Sequence, residues 1–265
     1  MKSSCIIPNY NGGKKLIKCV KLCLTYADEV IVVDDCSTDS SVKLLHSIKN
    51  DKLRIFKNPV NSGASYSRNF GFGKARYSLL LFVDSDCYLN RNNFRKLLKY
   101  KADIIYPKII NIDETIYNRF KAQTYLQNSV CFLMKKKTFK KMGGFDEKIK
   151  FYMDDVEFFF RCYKSELSDL YAPESEGFHD AVISKGVSSK KFFLNIKNTT
   201  YFCLKHHRGV ISKGFPTWIT ILVNMRRCFL NRDRLYNQPL AKTKIRAFGG
   251  GLKAVWGGFI IYFYK

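Results

Sequence analysis

Residues Leu79-Leu80-Leu81-Phe82-Val83-Asp84-Ser85-Asp86 run five large apolar side chains together and then set two carboxylates one residue apart. A strand that is apolar at every position has both faces covered, as in a mostly parallel sheet flanked by helices. Sheets of that kind hold their ligands beyond the carboxyl ends of the strands, where Asp84 and Asp86 fall. Two carboxylates so placed suit a divalent cation that in turn holds a diphosphate. An Asp-rich turn is the plain structural alternative.

The chain before this run has the pattern that such a sheet needs. Ser3 to Ile7 reads as a strand, closed by the loop Pro8-Asn9-Tyr10-Asn11-Gly12-Gly13. Lys14 to Tyr26 shows helical spacing through Leu16, Ile17, Val20, Cys23 and Leu24. A strand over Glu29 to Val33 ends at Asp34-Asp35-Cys36-Ser37-Thr38-Asp39, then come a helix over Ser41 to Ile48 and a strand over Leu53 to Phe56. Strand–helix alternation predicts parallel strands with helices on their faces. Tyr10 is either a surface ring or one stacked on a nucleobase, and Asp35 is placed to accept hydrogen bonds from a base or ribose. Asp39 also fits a helix N-cap. In Asn61-Ser62-Gly63-Ala64-Ser65-Tyr66-Ser67-Arg68 a glycine loop opens a helix, and Arg68 stands one turn in. Near the positive helix end it suits a phosphate, or else it is an arginine on a solvated face. Further on, Ala102 to Pro107 and Ser129 to Met134 read as strands, Lys108 to Tyr125 as a variable loop over the site, and Lys135 to Met142 as a basic helix.

These motifs, in this order and spacing, resemble family 2 glycosyltransferases: Pro8-Asn9-Tyr10-Asn11, then Val32-Val33-Asp34-Asp35-Cys36-Ser37-Thr38-Asp39, Asn61-Ser62-Gly63 with Arg68-Asn69-Phe70-Gly71, and Asp84-Ser85-Asp86. The resemblance implies the GT-A fold, a nucleotide-binding α/β sheet of Rossmann-like character. It implies that Pro8, Tyr10, Asn11, Asp34, Asp35, Asp39, Gly63 and Arg68 hold the nucleotide. Asp84 and Asp86 would hold Mn²⁺ or Mg²⁺ with the diphosphate, completed by His179. Cys36 stands where a glycine is common. Gly143-Gly144-Phe145-Asp146 followed by Asp154-Asp155, Glu157 and Arg161 is similar to the family's acceptor-side signature, with Asp155 at the position of the catalytic base. Read without the resemblance, Asp154 and Asp155 are also plain first-turn acids of a helix, and His179 a surface histidine. Beyond residue 161 the likeness loosens toward rhamnosyltransferase-type members.

The chemistry is consistent with two separated acidic groups. Inverting transfer needs a base on the acceptor hydroxyl, opposite the leaving nucleotide, and positive charge where the diphosphate departs. The expected activity is transfer of a hexosyl or deoxyhexosyl group from a nucleotide-sugar donor to a glycan or lipid-linked acceptor. Sugar-phosphate nucleotidyltransferases share the sheet and metal, but Pro8 to Gly13 lacks their basic phosphate loop.

Composition separates the remaining classes. In 265 residues, 46% hydrophobic and 15% aromatic content excludes a disordered chain. A formal charge of +24 requires an anionic partner. The nine cysteines include no Cys-x-x-Cys pair, which points to buried thiols in a reducing cytosol. The N-terminus lacks a signal-peptide layout, and no apolar run reaches membrane-spanning length. Two regions are expected: a catalytic domain over 1–189 and a helical, basic and aromatic region over 190–265. In the latter, Lys190-Lys191-Phe192-Phe193-Leu194, Trp218 to Val223 before Arg226-Arg227, and Phe248 to Tyr264 fit helices lying in a membrane interface, or a subdomain packed on the core. The expected location is therefore cytoplasmic, peripheral on the inner face of an anionic membrane. The acidic clusters argue against nucleic acid as partner. A basic nucleic-acid- or lipid-binding protein that keeps the fold without turnover is the alternative.

Overall fold

The computed structural model describes residues 1–111, 129–180 and 189–206. In chain order the elements are β1 (Ser3–Asn9), α1 (Gly13–Leu24), β2 (Glu29–Asp34), α2 (Ser41–His46), β3 (Leu53–Lys57), α3 (Ala64–Lys74), β4 (Leu79–Val83) and β5 (Cys87–Leu89). There follow α4 (Arg91–Leu97), β6 (Ile104–Asn111), β7 (Cys131–Lys135), α5 (Lys136–Lys141), α6 (Asp154–Lys164), β8 (Asp169–His179) and α7 (Ser189–His206). The strands form one sheet in the order β3-β2-β1-β4-β7-β6-β8-β5.

The sheet has two halves of different character. β3, β2, β1 and β4 are parallel to one another. β7 then enters antiparallel to both β4 and β6, β6 and β8 are parallel, and β5 runs antiparallel to β8. The sheet is thus mixed where a mostly parallel one was expected. A parallel pair needs a crossover connection, usually a helix, and β1 to β4 are joined by one helix each. β5 and α4 are additions to the expected elements. Of the loop expected over 108–125, residues 108–111 continue β6, and the remainder lies outside the described residues.

Alternation within the buried strands divides two cores. Cys5, Ile7, Val30, Val32, Leu79, Leu81 and Val83 pack under α1, α2 and α4, through Leu16, Cys19, Val20, Leu45, Phe94 and Leu97. Ile6, Ile31, Val33, Leu80 and Phe82 face the other side, against Phe139, Phe145, Phe158 and Phe159. The second core is an aromatic cluster in which Phe145 stacks on Phe158 at 4.4 Å and Phe82 on Phe132 at 4.7 Å. Offset ring pairs add to the burial of each ring. The eight cysteines among the described residues carry free thiols, and all but Cys36 are buried.

The chain divides into two compact units, one of Met1–Lys150 with Asp154–Val182, the other of Phe151–Met153 with Ile183–Lys265. Of the second, the described parts are residues 151–153 and α7. The Asn198 amide donates to the carbonyls of Phe151 and Tyr152, at 2.6 and 3.1 Å. The tail segments expected to be interfacial after residue 206 lie outside the described residues.

Candidate active site

Parallel pairing brings the ends of three strands together, because Asn9 stands beside Asp34 and Asp34 beside Lys57. The loops that follow β1, β2 and β4 therefore open on one edge of the sheet. The strand order turns between β1 and β4, the place where open sheets accept ligands.

The first two loops are braced by their own polar side chains. Asp34 is fully buried; its carboxylate accepts from the Asn9 amide at 2.8 Å, the Ser37 hydroxyl at 2.5 Å and the Ser37 N–H at 3.1 Å. These bonds tie the ends of β1 and β2 to the loop after β2. Pro8 is buried inside β1. Asn11 Oδ1 accepts from the N–H groups of Thr38 and Asp39, which ties the two loops. Asp39 in turn accepts from the Ser41 N–H at 2.9 Å at the start of α2, and Tyr10 presents a ring that is 50% exposed. Cys36 has φ +63, which explains the glycine expected there: left-handed backbone costs a residue with a Cβ about 1 kcal/mol or more.

Asp35 organises the next loop. Its oxygens accept from the Asn58 amide, the Ser62 N–H and the Gly63 N–H at 2.7–2.8 Å. Gly63 has φ +91, and a Cβ there would lie 2.4 Å from the Lys150 carbonyl oxygen. Both conformation and space demand glycine. Asn58, which no sequence pattern singled out, and Asn69, which stands in the Arg68-Asn69-Phe70-Gly71 motif, are brackets here. Asn69 holds the Phe145 backbone through both its N–H and carbonyl, at 2.9 Å each.

Arg68 is the largest departure from expectation. It is 2% exposed and points into the protein, donating to Asp84 at 2.6 Å and Asp154 at 3.1 Å. Both terminal nitrogens of the guanidinium, expected near a phosphate, are engaged by carboxylates. The expected metal group does assemble in part: His179, the last residue of β8, places Nε2 3.5 Å from Asp86 and Nδ1 3.3 Å from Asn111. Burial pushes the Asp84 carboxyl up to about 6 and nearby Asp86 pushes the same way, while Arg68 and His179 oppose. Among the described residues no group of three or more ligating side chains stands ready around one point.

The acidic pair opens α6. Asp154 is buried against Arg68, whereas Asp155 is partly exposed and accepts from the Val156 N–H at 2.8 Å. Burial, then the Asp154 carboxylate, push the Asp155 carboxyl up to about 7, against the opposing pull of Arg68. Glu157 and Arg161 are not at this mouth. Glu157 is fully buried and both its oxygens meet Arg161, whose guanidinium also donates to the carbonyls of Met142 and Gly144. The pair, expected on the acceptor side, clamps the Gly143-Gly144 turn. Asp155 and Glu157 stand two residues apart on α6, and that step turns their side chains to different faces of the helix.

Comparison with known proteins agrees with this arrangement. Residues 4–164 match the family described as Glycosyl transferase family 2. Glycosyltransferase GlyG of Streptococcus pneumoniae is 31% identical over 121 residues, 42% of this chain and 40% of that protein. Poly(ribitol-phosphate) beta-N-acetylglucosaminyltransferase TarS of Staphylococcus aureus is 35% identical over 103 residues, 36% of this chain and 18% of that one. The chain thus matches less than half the length of these relatives. Among solved structures, S. aureus TarS 1–349 in complex with UDP-GlcNAc superposes with a TM-score of 0.63 at 19% identity, over 99% of this chain and 82% of that one. The complex with UDP gives 0.61 at 21% identity, over 96% and 81%. At those identities the likeness is one of fold, the mixed α/β sheet of the GT-A type. The family match covers more than half of the chain and includes every loop gathered on the sheet edge, and on that ground the chain belongs to glycosyl transferase family 2.

Proposed function

We propose that the chain transfers a sugar from a UDP-linked donor to a hydroxyl of a glycan or lipid-linked acceptor, with inversion at the anomeric carbon. The observation that carries this is two acidic groups, Asp84/Asp86 after β4 and Asp154/Asp155 at the start of α6, bridged by the single guanidinium of Arg68. The UDP donor is suggested by the TarS structures in complex with UDP and UDP-GlcNAc. Those relatives support it better than the deoxysugar donor of a rhamnosyltransferase-like branch.

In this reading Tyr10 stacks on the base, while Asn11, Asp35, Asp39 and Gly63 shape and brace the nucleotide loops. Asp84, Asp86 and His179 would hold Mn²⁺ or Mg²⁺. Carboxylate oxygens and a neutral imidazole are competent donors for such ions, and the mutual repulsion of Asp84 and Asp86 is relieved by a cation. With fewer than three protein ligands preassembled, the diphosphate supplies the rest, as is usual for these ions on nucleotides. When bound, the ion neutralises charge growing on the departing diphosphate. Asp155 takes the acceptor hydroxyl proton as oxygen attacks the anomeric carbon from the opposite face. Its raised pKa matches a base working near neutrality.

The acceptor reading and the site of work are part of the same proposal. A charge of +24 suits a chain working at an anionic membrane surface from the cytoplasmic side. No helix among the described residues is long and apolar enough to cross a membrane.

Thermal-shift titration tests the donor site. UDP with Mn²⁺ should raise the melting temperature, since binding to the folded state alone stabilises it. The rise should disappear in Asp86→Ala. A shift that ignores both the metal and Asp86→Ala overturns the assignment of this edge, and no shift with UDP, GDP or dTDP favours the basic binding protein.

A further inference from the structure

We propose that Arg68 is a positioning residue that ties the donor-side carboxylate Asp84 to the acceptor-side carboxylate Asp154, fixing the spacing between leaving group and base. The inference rests on the transferase reading above and adds a role to it.

Three observations support the tie. Arg68 is buried and rigidly framed: it rises from α3, its Nη2 meets Asp84 and its Nη1 meets Asp154, and its guanidinium carbon lies 5.1 Å from the Phe145 ring centre. Among the described residues its Nε is buried with no hydrogen-bond partner, and the guanidinium meets the two carboxylates and the Phe145 ring. Its partners belong to different parts of the chemistry. Asp84 begins the donor loop after β4, and Asp154 directly precedes Asp155 on α6. A planar fork with fixed donor directions sets the distance between two carboxylates in a way that a lysine, a single point charge on a flexible stem, does not.

The tie has an electrostatic consequence for the base. The charged groups acting on Asp155 are Asp154 on its own helix, Arg68 from α3 and Asp84 from the end of β4. Arg68 is the only cation of the three. Removing it leaves the base among carboxylates and favours its protonated form.

The experiment compares wild type, Arg68→Lys and Arg68→Met. Donor affinity is read by calorimetry with UDP and Mn²⁺, and transfer by initial rates across pH. Arg68→Met should lower kcat on the order of 10²-fold, as misplacement of reacting groups does. UDP affinity should fall far less than kcat, because Arg68 meets the carboxylate Asp84 and not the nucleotide. The acidic limb of the kcat profile should move to higher pH. Arg68→Lys, which keeps the charge and guards against failure of the Met variant to fold, should restore the limb but only part of the rate. Loss of UDP affinity that matches the loss of kcat would show a phosphate contact and overturn the proposal. A lower kcat with an unmoved limb would show a merely structural residue and overturn it too. If wild type binds UDP but transfers nothing, the transferase reading itself fails, a result distinct from either.

Discussion

Asp155→Asn should lower sugar transfer by about 10²–10⁴-fold, the usual contribution of a positioned general base, while UDP affinity stays within about threefold. The amide keeps the shape of the carboxylate and the hydrogen bond from Val156, but does not take up a proton. Unequal loss is the point: a residue that binds donor would change affinity and rate together. The pH dependence follows from the same group. Asp155 titrates at about 7 in the fold, and a base works only when deprotonated. Transfer by wild type should therefore fall about tenfold per unit below that pH. Stability runs the other way. A carboxyl whose pKa is raised in the fold binds its proton more tightly there than in the unfolded chain, so its contribution is fully present below about 4 and is lost as pH rises through about 7. Wild type should thus lose melting temperature relative to Asp155→Asn between pH 4 and 7. Parallel curves for the two proteins would show that Asp155 is not perturbed.

Arg161→Ala should act on the fold and not on the chemistry. Glu157 is fully buried and both its oxygens meet Arg161, while the same guanidinium holds the carbonyls before and after Gly143. Breaking a buried pair by removing one partner costs about 3–5 kcal/mol, and Arg161 is 20% exposed, which places the loss at the lower end. For a chain of this size the melting temperature should fall on the order of 10 °C. Below the transition, transfer per folded molecule should remain within a few-fold of wild type. An unchanged melting temperature with a raised acceptor KM would instead restore Glu157 and Arg161 to the acceptor-side role their motif suggested.

What the sequence told correctly, it told through pattern with a direct physical cause. Leu79–Val83 is an apolar strand because both faces are covered, and each observed strand from β1 to β4 begins and ends within two residues of its expected bounds. That the loops after β1, β2 and β4 share an edge follows from parallel alternation alone. The later sheet was less legible. β7 reverses between β4 and β6, and nothing in Ser129 to Met134 encodes direction, since a strand's hydrophobic pattern reads the same either way. Side-chain direction was the second limit. Asp34, Arg68, Glu157 and Arg161 have the residue types of ligand contacts, yet each points into the protein and holds a loop or helix end. A motif records which residues stand near a site. Which way each one turns depends on Asn9, Ser37, Met142 and Gly144, neighbours whose distance in space no single-sequence spacing reveals. His179 meets Asp86 only because β8 pairs with β5 and β6, a long-range register invisible before the fold.

The most direct measurement is release of UDP from UDP-GlcNAc and UDP-glucose with Mn²⁺, by wild type and Asp155→Asn side by side, with an envelope glycan fraction as acceptor. Acceptor-stimulated release by wild type, reduced on the order of 10²-fold or more in Asp155→Asn, is the expected result. Equal release by the two proteins, or tight UDP binding with no release from either sugar donor, would contradict the assignment of this sheet edge as the centre of sugar transfer.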